Sequence, residues 1–105
     1  MLHLDESYNG REIELSAGEE CELRLPENPT TGFRWSLASD GAPACKLQSD
    51  LFETANGTPG RGGTHSWRFQ AVQEGLGNID LVYRRSFEPN EPSTQRFKLL
   101  VRVRA

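Results

Sequence analysis

Cys21-Glu22-Leu23-Arg24-Leu25-Pro26 sets Cys21, Leu23 and Leu25 on one side of an extended chain and Glu22 and Arg24 on the other. A period of two belongs to a half-buried β-strand, because successive side chains point to opposite faces. Pro26 has no N–H to give to a ladder and is expected to stop this strand. Upstream, Ile13 and Leu15 repeat the pattern after Asn9-Gly10, a dipeptide suited to a tight turn. Downstream it returns at Phe33, Trp35 and Leu37, more weakly from Lys46 to Phe52, then at Trp67, Phe69 and Ala71. A turn is expected at Gly75 to Asn78, ahead of Ile79, Leu81 and Tyr83, and Phe97, Leu99, Val101 and Val103 form the final apolar face. No stretch sustains helical spacing, so the chain reads as all-β. About seven mostly antiparallel strands, with turns every 8 to 12 residues or so, match an immunoglobulin-like β-sandwich; the same spacing also admits another sandwich or a barrel.

The bulk properties narrow the function classes. The 105 residues suit a single domain spanning 1–105. A formal net charge of -3 disfavours nucleic acid as a partner, since such domains present a basic surplus to phosphates. The late arginines Arg84, Arg85, Arg96, Arg102 and Arg104 are expected on outward faces, balancing Glu12, Glu14, Glu20 and Glu22. There is no apolar run long enough for a membrane helix and no signal-peptide pattern at Met1-Leu2-His3-Leu4-Asp5, so no membrane partner is expected; the chain is either cytoplasmic or trimmed to a mature form. Two cysteines and two histidines, His3 and His65, lack metal-ligand spacing, and no metal or cofactor is implied. Cys21 and Cys45 are either a disulfide or unpaired thiols, Cys21 then serving as a small buried apolar residue. No nucleophile motif, triad or phosphate-cradling loop is present, which disfavours an enzyme.

If each strand reverses direction, the segments Pro26 to Gly32, Asn56 to Gly63 and Ser86 to Ser93 emerge at one end. Binding residues gather on loops held by a rigid scaffold, so that end is where function is expected. Asn56-Gly57-Thr58 fits a glycosylation acceptor but reads better as a turn, because a glycan would crowd this end. Trp35 and Trp67 are in phase with the core and are expected to pack there; Phe33, beginning a strand beside the binding end, could support the first loop from behind.

The three loops read Asn28-Pro29-Thr30-Thr31-Gly32-Phe33, Gly60-Arg61-Gly62-Gly63-Thr64 and Arg84-Arg85-Ser86-Phe87-Glu88-Pro89. Together they resemble the chagasin family of cysteine peptidase inhibitors, whose loops carry, in the same order, an NPTTG-aromatic motif, a GxGG motif and an Arg-Pro-Trp-like motif. The third match is partial, with Ser86 in place of the family's proline and Phe87 in place of its tryptophan. The resemblance implies a reversible, tight-binding inhibitor that wedges three loops into the cleft of a papain-like cysteine peptidase, cathepsin L-like or similar. It implies Thr30 and Thr31 deepest, Gly60, Arg61, Gly62 and Gly63 at the rim, and Arg85, Ser86 and Phe87 flanking. It also favours a periplasmic or secreted setting, and a monomer when free. The rival is a non-inhibitory protein- or carbohydrate-binding sandwich. An inhibitor needs Thr30, Thr31 and Phe87 exposed at one end, whereas a sugar binder needs Trp35 or Trp67 exposed on a face.

Overall fold

The computed structural model describes residues 1–28, 33–54, 62–85 and 95–105. Among these residues eight strands run in chain order as β1 (Leu2–Leu4), β2 (Arg11–Ser16), β3 (Glu20–Glu27), β4 (Phe33–Asp40), β5 (Cys45–Thr54), β6 (Gly63–Ala71), β7 (Gly75–Arg85) and β8 (Gln95–Arg104). They form two four-stranded sheets, β1-β3-β6-β5 and β2-β8-β7-β4. The pairs β3–β6, β5–β6, β4–β7 and β7–β8 are antiparallel, while β1–β3 and β2–β8 are parallel. The expected all-β sandwich is therefore what the chain forms, with one more strand than the alternation revealed. β1 is too short to display a period, and its parallel pairing leaves no hairpin signal.

The core lies between the sheets, built from the inward phase of nearly every strand. It includes Cys21, Leu23 and Leu25 of β3, Trp67 and Phe69 of β6, Ile79 and Leu81 of β7, and Phe97 and Val101 of β8. Burying each of the larger side chains contributes about 1.5–3 kcal/mol relative to exposure. Two details of the alternation need correction. β3 does not stop at Pro26 but pairs on through Glu27. β1 covers β3 only as far as Leu23, so Pro26 sits where that side of the strand is open and a missing N–H removes no ladder bond. Likewise Gly75 to Asn78 is not a turn: those residues pair with Val103 to Leu100 as the start of β7. Glycine is needed there for clearance, since a Cβ on Gly77 would come within 2.5 Å of the Gly41 carbonyl oxygen.

The weak pattern from Lys46 to Phe52 has a structural cause. A register shift between Leu47 and Ser49 moves the residues opposite inward-facing β6 positions from Cys45 and Leu47 to Asp50 and Phe52, so the inward phase changes parity inside one strand. Cys21 and Cys45 are free, buried thiols. β6 lies between their strands, so two strand spacings of about 4.8 Å part them, beyond the roughly 7 Å that a disulfide spans between Cα atoms. Two of the late arginines balance acidic partners across β2 and β8, Arg102 Nε lying 3.1 Å from Glu12 and Arg104 Nε 2.6 Å from Glu14, whereas Glu22 faces Arg24 and Arg68.

Candidate functional site

The shared end expected from strand parity is where the three loop roots lie. Glu27, ending β3, pairs with Gly63, opening β6, and Gly63 pairs in turn with Thr54, ending β5. In the other sheet Phe33, opening β4, pairs with Arg85, ending β7, while Tyr83 pairs with Gln95, opening β8. The first loop thus crosses from one sheet to the other, and the second and third close a hairpin in each sheet beside it. An open depression of about 280 Å³ lies among the roots, lined by residues that include Pro26, Asn28, Gly62, Tyr83 and Gln95.

Of the residues expected to bind, Asn28, Phe33, Gly62, Gly63 and Arg85 fall within the described segments and meet at this end. Pro29, Thr30, Thr31, Gly32, Gly60, Arg61, Ser86 and Phe87 lie outside the described residues, as does Asn56-Gly57-Thr58.

The roots are fastened by side chains. Phe33 stacks on Tyr83 with ring centroids 5.5 Å apart, and Trp35 tilts against the same ring at 4.9 Å. The Tyr83 hydroxyl accepts a hydrogen bond from the Asn28 backbone N–H at 3.2 Å, so the aromatic group supports the start of the first loop. Phe33 packs on the ring whose hydroxyl holds Asn28, and the loop residues it was expected to support lie outside the described residues. Two of the three glycines in the second motif, Gly62 and Gly63, are committed to close approach within the molecule. Gly62 has φ +75°, and a Cβ there would lie 3.0 Å from the Glu27 carbonyl oxygen and 3.2 Å from Asn28 Cβ. A Cβ on Gly63 would overlap the Glu53 carbonyl oxygen at 2.0 Å. Gly62, where the chain returns to β6, is therefore seated directly on the root of the first loop.

Beneath the first loop lies a polar cluster that alternation did not single out. Glu27 is 2% exposed. Its carboxylate accepts the Trp35 backbone N–H at 2.7 Å, lies 3.1 Å from His65 Nδ1, and has Arg34 Nε at 3.9 Å. The other ring nitrogen of His65, Nε2, contacts Asp50. The imidazole stacks on Trp67 with ring centroids 4.0 Å apart and ring planes nearly parallel at 8°. The carboxylates occupy opposite ring nitrogens and converge on no common point, and among the described residues no group of three or more such side chains could hold a metal ion. The cluster does structural work: it joins β3, β4, β5 and β6 under one loop. A signal was present, since Glu27 continues the inward phase of Cys21, Leu23 and Leu25, and His65 that of Trp67 and Phe69.

The two tryptophans separate the rival readings. Trp35 is 9% exposed and Trp67 1% exposed, so neither offers a platform to a sugar ring. The indole N–H of Trp35 is occupied, donating to the Pro26 carbonyl at 2.9 Å.

Known proteins give the same picture. Amoebiasin-1 of Entamoeba histolytica is 34% identical over 102 residues, spanning 97% of this chain and 99% of the relative. The fold matches that of the crystallised cysteine protease inhibitor EhICP2 of the same organism with a TM-score of 0.87, covering 98% and 95% of the two chains at 20% identity. It also matches PbICP-C, solved in complex with falcipain-2, with a TM-score of 0.62 at 16% identity and coverage of 97% and 89%. Residues 14–101 match the family described as Chagasin family peptidase inhibitor I42. With most of its length in that match and its three loop roots gathered at one end, this chain belongs to the chagasin family of peptidase inhibitors.

Proposed function

We propose that the protein is a reversible inhibitor of papain-like cysteine peptidases that blocks the enzyme's cleft with the loop end of the sandwich. The observation that carries this reading is the convergence of three motif-bearing loop roots, the first crossing between the sheets and the others closing a hairpin on either side. A fold relative bound to falcipain-2 supports a peptidase as the partner.

In this reading Thr30 and Thr31 enter the cleft, where small hydroxyls can donate to and accept from the catalytic thiolate and imidazolium. Pro29 limits its own φ and the freedom of Asn28, so less entropy is lost on docking. Gly60 and Arg61 meet the rim, with Gly62 and Gly63 setting their height above the first loop's root. Arg85 and Phe87 flank the cleft, a guanidinium fork and an aromatic anchor of the kind that dominates interface energetics. Ser86 leaves the third loop less constrained than proline would. Because the wedge offers no strand in substrate register, cleavage of the inhibitor is slow. The free protein acts as a monomer.

The test is steady-state inhibition of papain and of a cathepsin L-like enzyme, with trypsin as the control bearing a different nucleophile. Submicromolar competitive inhibition restricted to the cysteine peptidases is expected. Absence of inhibition at tens of micromolar against both would overturn the reading.

A further inference from the structure

Beyond the loop motifs, and resting on the inhibitory reading above, we propose that Glu27, oriented by His65, is the positioning residue that preorganises the first loop. The loop leaves β3 at Glu27 and re-enters the sandwich on β4, and the Glu27 carboxylate binds the Trp35 N–H at 2.7 Å on the returning arm. A second bond, from the Trp35 indole to the Pro26 carbonyl at 2.9 Å, ties the same two arms. Both bonds cross from one sheet to the other, so the span the loop must bridge is set by one buried carboxylate and one indole. His65 fixes the carboxylate in turn: its Nδ1 lies 3.1 and 3.2 Å from the two oxygens, and its ring is held by Trp67 on one face and by Asp50 at Nε2. A buried ionisable side chain needs such a set of partners, and a core-phase position would otherwise be filled by an apolar residue at less cost. Its placement at the foot of the loop is explained by what it holds.

A loop held in its bound shape loses less freedom on docking, so the clamp acts on affinity as well as on stability. Glu27→Met keeps most of the volume and removes the acceptor. Glu27→Gln keeps an oxygen for the Trp35 N–H and turns an amide N–H toward His65 Nδ1. The inhibition constant for papain, normalised to folded protein, is expected to rise about 10-fold to 100-fold in Glu27→Met and to return within about 3-fold of wild type in Glu27→Gln. A residue that only supported the fold would lower the melting temperature and leave the normalised constant unchanged; that result would overturn the proposal while the inhibitory reading stood. Failure of the wild-type protein to inhibit would instead remove both. Should Glu27→Met not fold, amide exchange in the wild type decides. Protection of the Trp35 N–H in the free protein, unchanged on binding papain, is required, and rapid exchange there in the free state would sink the clamp.

Discussion

The two ends of the sandwich are closed by different means. At the end away from the loops the backbone does most of the work: Gly18 N–H donates to the Ala71 carbonyl at 2.7 Å, Ala71 N–H to the Glu19 carbonyl at 2.8 Å, Val72 N–H to Ala44 at 2.8 Å and Ala17 N–H to Arg104 at 2.8 Å, with the Glu19 carboxylate adding one bond from the Ser16 N–H at 2.6 Å. Among the described residues at the loop end the fastening comes from side chains: the Glu27 carboxylate, the Tyr83 hydroxyl and the Trp35 indole. Backbone closure tolerates many sequences, because every residue but proline carries the same donor and acceptor. Side-chain closure demands particular residues, and it leaves the loops between the roots free to be chosen for binding. A scaffold whose rigidity comes from below suits the proposed wedge of threonine, glycine and arginine.

The strongest way to break the loop end is through Gly63. Gly63→Ala places a Cβ against β5 backbone that cannot withdraw without unpairing, so a loss of about 3 kcal/mol is expected in urea denaturation. A loss below about 1 kcal/mol would mean that β5 and β6 separate easily there. Next in size, and on affinity alone, is Thr31→Trp: with Thr31 entering the cleft as proposed, the change should weaken papain inhibition about 100-fold with little change in melting temperature. Equal losses of inhibition and stability would place Thr31 in the scaffold instead.

The opposite end answers to pH. Burial, reinforced by the nearby Cys45, pushes the Cys21 thiol from about 9 up to about 12. In the window between those values the native state keeps a proton that the unfolded chain gives up. Stability therefore falls as pH rises above about 9, by up to about 1.4 kcal/mol per pH unit from this thiol. Cys21→Ala should flatten the alkaline limb of the stability curve, and an unchanged slope would show that the thiol titrates as freely in the fold as out of it. Smaller again is Tyr83→Phe, which retains the stack with Phe33 and Trp35 and removes the acceptor for the Asn28 N–H. About 1 kcal/mol of stability should be lost, with a several-fold rise in the inhibition constant, measured side by side with wild type.

The sheets were legible because alternation survives wherever a strand keeps its register: Cys21 to Leu25 and Phe97 to Val103 announce their faces outright. The loop motifs were legible too, as local strings with a known kin. What alternation could not convey was anything that depends on two distant residues meeting. Glu27 reads as a solvated acid until β3 is seen to run past Pro26, and His65 reads as an isolated histidine until β6 brings it beside that carboxylate. The parallel placement of β1 and β2 has no local signature either. All of these come from tertiary pairing, and the clamp at the root of the first loop is built from the pairing of β3 with β6.

The smallest effect tests the comparison from its other side. Arg102 reaches diagonally across the parallel pair β2–β8 to Glu12 at 3.1 Å, both about half exposed. Water and salt screen such a pair, and ordering two long side chains offsets much of the attraction. If the end away from the loops is held by its backbone, Arg102→Ala should change the unfolding free energy by no more than about 0.5 kcal/mol, and added salt should leave the wild-type melting temperature nearly unmoved. A loss above about 1 kcal/mol, abolished by salt, would show that this end also relies on chosen side chains. The division of labour between the two ends would then be one of degree.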